Sequence, residues 1–322
     1  MHVLKKLKVG LLGASIAVSF LASNEAQAAV NLGNIMPLGD SLTVGIGSLN
    51  GYRLPLYNLL HNNGYTFTFV GSQSTNSDVS LTSIGQGRHE GVTGSVIQNL
   101  GFSPGNAGEF IPPFTPSRGI IDVLHSVMGP GIAAPDYILL LIGGNDIAND
   151  YNDNPANPAG GSAHAPARLD HLISAISNKI TGERPNAHLI VAELPPTAVP
   201  LKNPPYQVFN ATLPQIIANH QALGENVSLI DLYTPLNPAT DFSDGYLHPN
   251  ILGYDKIATA FYNGIVAVPE PSTLGLIAVG MIGILARRRQ PVAWGSRPCF
   301  LAGKHMGETP MLFSSTGNPT DK

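Results

Sequence analysis

The apolar run Tyr137-Ile138-Leu139-Leu140-Leu141-Ile142 has no polar break and stops at Gly143-Gly144-Asn145-Asp146. A strand covered on one face alternates apolar and polar residues, whereas a strand buried on both faces of a parallel sheet is apolar throughout. This run predicts such a strand at 136–142, and further short apolar runs predict strands at 34–39, 66–71, 188–194 and 227–232. Helical patterns lie at 52–62, 119–128, 165–181, 206–223 and 253–266. In the third, Leu169, Leu172, Ile173, Ile176 and Ile180 recur at helical spacing. Alternation of strands and helices predicts an α/β fold, a three-layer α/β/α sandwich around a parallel sheet of about five strands. The Pro-, Gly- and Asn-rich stretches at 102–118, 150–167 and 195–206 read as long loops. They follow strands or motif segments, the side where open α/β sheets place their sites.

The chain has 322 residues, a formal net charge of −4 and only 12% charged residues. That mild acidity, with no basic stripe, speaks against a nucleic-acid partner. The single cysteine, Cys299, rules out an intrachain disulfide and a cysteine-based zinc site. Stability therefore rests on a hydrophobic core, which about 240 residues can supply.

Both ends read as addresses. In residues 1–28, Lys5, Lys6 and Lys8 flank the start of the apolar stretch 9–21, and Ala26-Gln27-Ala28 places small residues before a cut ahead of Ala29. That order is the order of a secretory signal peptide, so the domain at 29–267 is expected to work outside the cytoplasm. Residues 268–289 open on Val268-Pro269-Glu270-Pro271, continue through the uncharged apolar run 274–286 and end in Arg287-Arg288-Arg289. The run is short for a membrane span, for which about 20 residues are usual, and the arginines would stay on the cytoplasmic side. The arrangement resembles the PEP-CTERM sorting signal of Gram-negative bacteria. That resemblance implies export across the inner membrane with transient anchoring there. It also implies processing by an exosortase-type protease and delivery to the cell surface or extracellular matrix. Such signals normally end the chain soon after the arginines; here residues 290–322 follow without periodicity and read as a disordered tail.

Gly39-Asp40-Ser41-Leu42-Thr43 follows the apolar Ile35-Met36-Pro37-Leu38. A serine on a tight turn past a strand holds its hydroxyl away from the backbone, and nearby amide N–H groups can face a developing oxyanion. Alone, such a turn is ordinary. His89-Glu90-Gly91-Val92-Thr93-Gly94 is a second glycine-bearing turn, able to bring a backbone N–H close to a reacting carbonyl. Asn145 directly follows the most apolar strand; its neutral side-chain NH₂ can bind charge as it develops without pairing with the nucleophile beforehand. Asp244-Gly245-Tyr246-Leu247-His248-Pro249-Asn250 contains a histidine held by a following proline, with acids upstream: the parts of a base and its orienter.

In chain order, GDSLT at 39–43, the glycine block at 91–94, GGND at 143–146 and HPN at 248–250, with Gly253-Tyr254 beyond, resemble the SGNH (GDSL) hydrolase superfamily over roughly residues 34–266. The resemblance implies that Ser41 is the nucleophile and His248 the general base. It implies that the backbone N–H groups of Ser41 and Gly94 and the side chain of Asn145 form the oxyanion hole. No cofactor or metal is expected. The family usually carries an aspartate three residues before the histidine, but that position is Gly245. Asp244 is expected to orient His248 through a bulged loop; Asp241, or a backbone carbonyl in a Ser–His dyad, are the alternatives. Asp40 and Asp146 are expected to shape their loops.

Gly51-Tyr52-Arg53, Phe69-Val70-Gly71-Ser72 and His89-Glu90-Gly91 are similar to the acetylxylan-esterase-like branch, which removes acetyl groups from polysaccharides. Ser95 stands where that branch often has a bulky aromatic, and Arg53 reads as a tie between loops. The function expected is a secreted carboxylic ester hydrolase acting on acyl, foremost acetyl, esters of an extracellular polysaccharide. A lipolytic or lysophospholipid esterase is one alternative. A non-catalytic matrix or adhesion protein is another, favoured by the missing aspartate at 245. The polar stretch from Asp150 lacks the Gly and Glu of a calcium loop. His164 and His171 have no third ligand in view, and Asn210-Ala211-Thr212 matches a glycosylation triplet.

Overall fold

The computed structural model describes residues 29–98, 119–129, 131–148, 162–177, 187–243 and 247–268. The expected signal peptide, the sorting signal from 269 onward, the tail at 290–322 and Asp244 lie outside the described residues.

The strands are β1 (Val30–Gly39), β2 (Tyr65–Phe69), β3 (Glu90–Gly91), β4 (Tyr137–Leu141), β5 (His188–Ala192) and β6 (Val227–Ile230). The helices are α1 (Ser41–Val44), α2 (Arg53–Asn62), α3 (Val79–Thr82), α4 (Leu124–Val127), α5 (Gly144–Ala148), α6 (Ala165–Ile176), α7 (Asn203–Asn210), α8 (Leu213–Ala222) and α9 (Ile251–Val266). Every strand pairs in parallel, in the order β2-β1-β4-β5-β6, and β3 pairs with β1 as well. The expected three-layer sandwich is the observed one. The run that opened the sequence reading is its central strand β4, with a neighbour on each edge.

Alternation along β4 builds two cores at once. Ile138 and Leu140 face a cluster that contains Leu169, Leu172 and Ile173 of α6. Leu139 and Leu141 face the opposite cluster, with Leu56 and Leu60 of α2 and Ile257 and Phe261 of α9. Each such side chain, fully buried, contributes about 1.5–3 kcal/mol.

Two helical expectations and one loop expectation are corrected. The helix expected at 206–223 is two helices, α7 and α8, because Pro214 has no N–H to donate to the Asn210 carbonyl four residues back and its ring crowds that carbonyl. Pro214 sits instead in the first turn of α8, where a missing N–H costs little. The stretch 195–206 is not all loop: α7 starts at Asn203. The pattern at 119–128 yields only a 3₁₀ turn, Ile121–Val123, followed by α4.

The topology positions the site. From β1 the sheet runs to β2 on one side and to β4-β5-β6 on the other, so a crevice opens at the carboxyl ends of β1 and β4. β3 joins there, pairing Leu38 with Glu90 and Gly39 with Gly91. Three of the four sequence blocks therefore leave the sheet side by side. A β-carbon on Gly39 would lie 2.1 Å from the Leu141 carbonyl oxygen, so only glycine permits this approach of β1 and β4.

Two buried groups brace the neighbouring loops. The Arg53 guanidinium donates to Ser77 Oγ (2.5 Å) and to the carbonyls of Val44 (3.1 Å) and Asn76 (3.3 Å). It is the expected tie between loops, and burial lowers it to about 10. His89 Nδ1 accepts the Gly91 N–H at 3.0 Å, leaving Nε2 to donate to the Thr75 carbonyl at 2.8 Å. Burial, with Arg53 nearby, lowers His89 to about 4, so this ring is neutral and structural.

Candidate active site

Ser41 opens α1, and Asp40 caps that helix by accepting the Leu42 N–H at 2.9 Å. Asp40 is 2% exposed; burial, working against that hydrogen bond, pushes its carboxyl up to about 7. The Ser41 hydroxyl lies 3.0 Å from Nε2 of His248, a residue 207 positions further along the chain. At that distance the imidazole can take the hydroxyl proton as the oxygen attacks a carbonyl carbon.

His248 is carried by a short antiparallel pairing between residues 241–243 and 248–250. Phe242 bridges Pro249, Ser243 N donates to the His248 carbonyl (3.1 Å) and Asn250 N donates to the Asp241 carbonyl (2.9 Å). Asn250 also caps α9, accepting from Gly253 N at 3.1 Å. A β-carbon on Gly47 would lie 2.5 Å from the Pro249 carbonyl oxygen and 3.2 Å from His248 Cβ, so a larger residue at 47 would push the histidine segment away.

The Asp241 carboxylate accepts from Asn237 N (2.6 Å), Thr240 Oγ1 (2.9 Å) and Lys256 Nζ (2.6 Å). Its oxygens are spent on holding this segment to α9.

Asn145, in α5, donates through Nδ2 to the Ser95 carbonyl at 2.8 Å; the same nitrogen is 3.5 Å from Asp40 Oδ2. Gly94, one residue before Ser95, has φ +80° with open space where a side chain would stand. Asp146 accepts from Ile97 N (3.1 Å) and from Arg168 (3.1 Å), a buried ion pair that fixes the loop after β3, as expected.

Ser41, Asn145 and His248 line one narrow pocket of about 20 Å³, together with Leu194, Thr197 and Tyr206 among others. A larger groove of about 610 Å³ along β6 and α9 contains none of the motif residues. The nucleophile and base candidates meet in the small pocket. Among the described residues, no group of three or more His, Cys, Asp or Glu side chains is placed to hold a metal ion.

Residues 35–261 match the family model described as GDSL-like lipase/acylhydrolase. The chain belongs to this family. Residues 267–290 of the GDSL hydrolase match the PEP-CTERM protein-sorting motif. Over 262 residues it is 27% identical to a multidomain esterase of Ruminococcus flavefaciens, an alignment that covers 76% of this chain and 31% of the relative. The chain thus spans about a third of the length of that curated relative. Among solved structures it is similar to a Clostridium thermocellum family 3 carbohydrate esterase, at 30% identity and a TM-score of 0.52, covering 71% of this chain and 93% of the other. A carbohydrate esterase family 3 protein of Talaromyces cellulolyticus is 16% identical, with a TM-score of 0.49 and coverage of 73% and 99%. Among the described residues, no helix of the GDSL hydrolase is long and apolar enough to cross a membrane; the run 274–286 lies outside them.

Sequence reading of the GDSL hydrolase did not find the pocket wall formed by Leu194, Pro195, Pro196, Thr197 and Tyr206. The signal was present: Leu194-Pro195-Pro196 exits a strand directly, and Asn203 and Asn210 stand seven residues apart on the helix that follows. Asn210, singled out for its glycosylation triplet, is 6% exposed, and its amide is engaged with the Leu194 backbone.

Proposed function

We propose that this protein is a secreted serine esterase that removes small acyl groups, foremost acetyl, from an extracellular polysaccharide. One observation carries the reading: the 3.0 Å contact between Ser41 Oγ and His248 Nε2, inside a pocket of about 20 Å³.

In this reading Ser41 Oγ attacks the ester carbonyl while His248 Nε2 takes its proton. The tetrahedral oxyanion lies against the N–H groups of Ser41 and Gly94 and the Asn145 amide. On collapse the C–O bond to the sugar breaks, and the imidazolium returns the proton to the leaving alkoxide oxygen. Water, deprotonated by the same imidazole, then attacks the acyl-serine, releasing the carboxylic acid and restoring Ser41. Asp244 orients His248 and stabilises its charged form; Asp241 is a poorer choice, because its carboxylate already holds Asn237, Thr240 and Lys256.

A carbohydrate substrate is supported by the solved relative, a carbohydrate esterase at 30% identity, and ester hydrolysis by the relative described as a multidomain esterase. Delivery to the cell surface or matrix of a Gram-negative bacterium is supported by the signal-like residues 1–28 and the sorting motif at 267–290, with an exosortase-type protease as the processing partner. The narrow pocket speaks against the lipolytic alternative. The seated Ser41–His248 pair speaks against a non-catalytic scaffold.

The deciding experiment compares acetate release from an acetylated polysaccharide with fatty-acid release from phospholipid vesicles by the purified protein. Acetate release alone supports the proposal; fatty-acid release alone replaces it with the lipolytic reading.

A further inference from the structure

One wall of the pocket is built by a helix that grips the loop beside it. Asn210 exchanges two hydrogen bonds with the backbone of Leu194: Leu194 N donates to its Oδ1 (2.9 Å), and its Nδ2 donates to the Leu194 carbonyl (2.8 Å). Asn203 does the same with Thr197, at 2.7 and 3.0 Å. Seven residues is close to two helical turns, so both amides project from one face of α7. Tyr206, three residues after Asn203, shares that face and points between them. Residues 194–197 and α7 therefore form a single braced wall.

Tyr206 is a buried part of that wall. The side chain is 4% exposed, and its hydroxyl donates to the Gly144 carbonyl at 3.3 Å, immediately before Asn145. A β-carbon on Gly144 would meet Tyr206 Oη at 3.3 Å, Asp40 Oδ2 at 3.7 Å and Leu194 Cδ2 at 3.9 Å. Three side chains from separate elements converge there and close the pocket.

The size of the space decides which part of the substrate enters it. About 20 Å³ is the space open to the centre of a water-sized group, room for a small group such as an acetyl methyl. A sugar ring cannot enter; the carbon chain of a short acyl group can. We propose that Tyr206 is a specificity-determining residue, its ring closing the acyl end of the pocket so that chains beyond about two carbons are excluded. The inference rests on the esterase reading above.

The test measures kcat/KM of the purified full chain on p-nitrophenyl acetate, butyrate and hexanoate. In the wild type the value should fall by about tenfold or more from acetate to hexanoate. Tyr206→Ala should raise the hexanoate-to-acetate ratio by about tenfold or more, while Tyr206→Phe, which keeps the ring, should leave it within about twofold of wild type. An unchanged ratio in a Tyr206→Ala protein that still melts cooperatively overturns the proposal, as does an equal shift in Tyr206→Phe. If Tyr206→Ala does not fold, the wild-type series still decides: a flat profile overturns the inference. A wild type inactive on all three esters overturns the esterase reading itself, whereas activity with a flat profile sinks only the role of Tyr206.

Discussion

The side-chain amide of Asn145 is anchored to the backbone carbonyl of Ser95 at 2.8 Å, across 50 positions of sequence. Ser95 directly follows Gly94, so two of the three proposed oxyanion donors are braced against each other through one hydrogen bond. Preorganisation of this kind is what makes fixed donors effective: they need not reorganise as charge develops. The bond uses one of the two Asn145 N–H groups; the other faces Asp40 Oδ2 at 3.5 Å, a long contact that an oxyanion would have to displace.

Replacing Asn145 by Ala should lower kcat on p-nitrophenyl acetate by about 10²–10³-fold, with a much smaller change in KM, because the donor acts mainly in the transition state. Steady-state kinetics give both values; a change confined to KM would show that Asn145 only binds substrate.

Ser41→Ala and His248→Ala should each reduce kcat by about 10⁴-fold or more, and the double variant should be scarcely worse than either alone, since the two act as a unit. Multiplying losses in the double variant would mean that the 3.0 Å contact is not the catalytic one.

Asp244 and Asp241 should separate cleanly. Asp244→Asn should cost about 10³–10⁴-fold in kcat with little effect on the melting temperature. Asp241→Ala should instead destabilise the fold by about 1–3 kcal/mol, because Asn237 N, Thr240 Oγ1 and Lys256 lose their acceptor. Denaturant melts and kinetics on the same preparations distinguish the two; a large kcat loss confined to Asp241→Ala, with Asp244→Asn near wild type, would exchange their roles.

Stability should fall as the pH rises from about 5 to 8. Burial raises Asp40 from 3.8 to about 7, and burial, with Asp231 adjacent, raises Glu193 from 4.5 to about 7. Between those values the folded state holds protons that the unfolded chain has released, so each step up in pH favours unfolding until the folded groups have also ionised. Asp146, pushed by burial up to about 6, adds to the decline. His89, lowered to about 4, and His188, also lowered, oppose it below about 6.5, where the unfolded imidazoles bind protons that the folded ones do not. Asp231 and Asp241, held below their ordinary value, titrate beneath this window. Thermal melts across the range should show the decline, shallower in Glu193→Gln; a melting temperature that climbs from pH 5 to pH 8 would contradict it.

The parts legible in sequence were those with a strong local signature. The unbroken run of β4 announced a doubly covered strand, and Ser41, Asn145 and His248 each sit in a block whose glycines or proline mark a strand exit or a helix start. Pro214 was in plain view, yet apolar periodicity ran through it and hid the break between α7 and α8. The grip of Asn203 and Asn210 on residues 194–197 was not legible, because a side-chain amide that pairs with a backbone leaves no mark on the residue it holds. The Lys256–Asp241 contact joins a helix to an irregular segment 15 positions away, a spacing that no regular period predicts.

Ser41 leaves the first strand of the sheet, and His248 stands just ahead of the last helix of the domain. A contact of such long range forms only when nearly the whole domain is in place, and it makes folding slow compared with locally wired folds. A nascent chain that has not yet reached residue 248 carries the attacking hydroxyl but not the imidazole that arms it. The same holds for any chain whose final helix is still undocked. In the proposed mechanism, hydrolytic power would thus arrive as the last event of maturation, only once the final helix has docked.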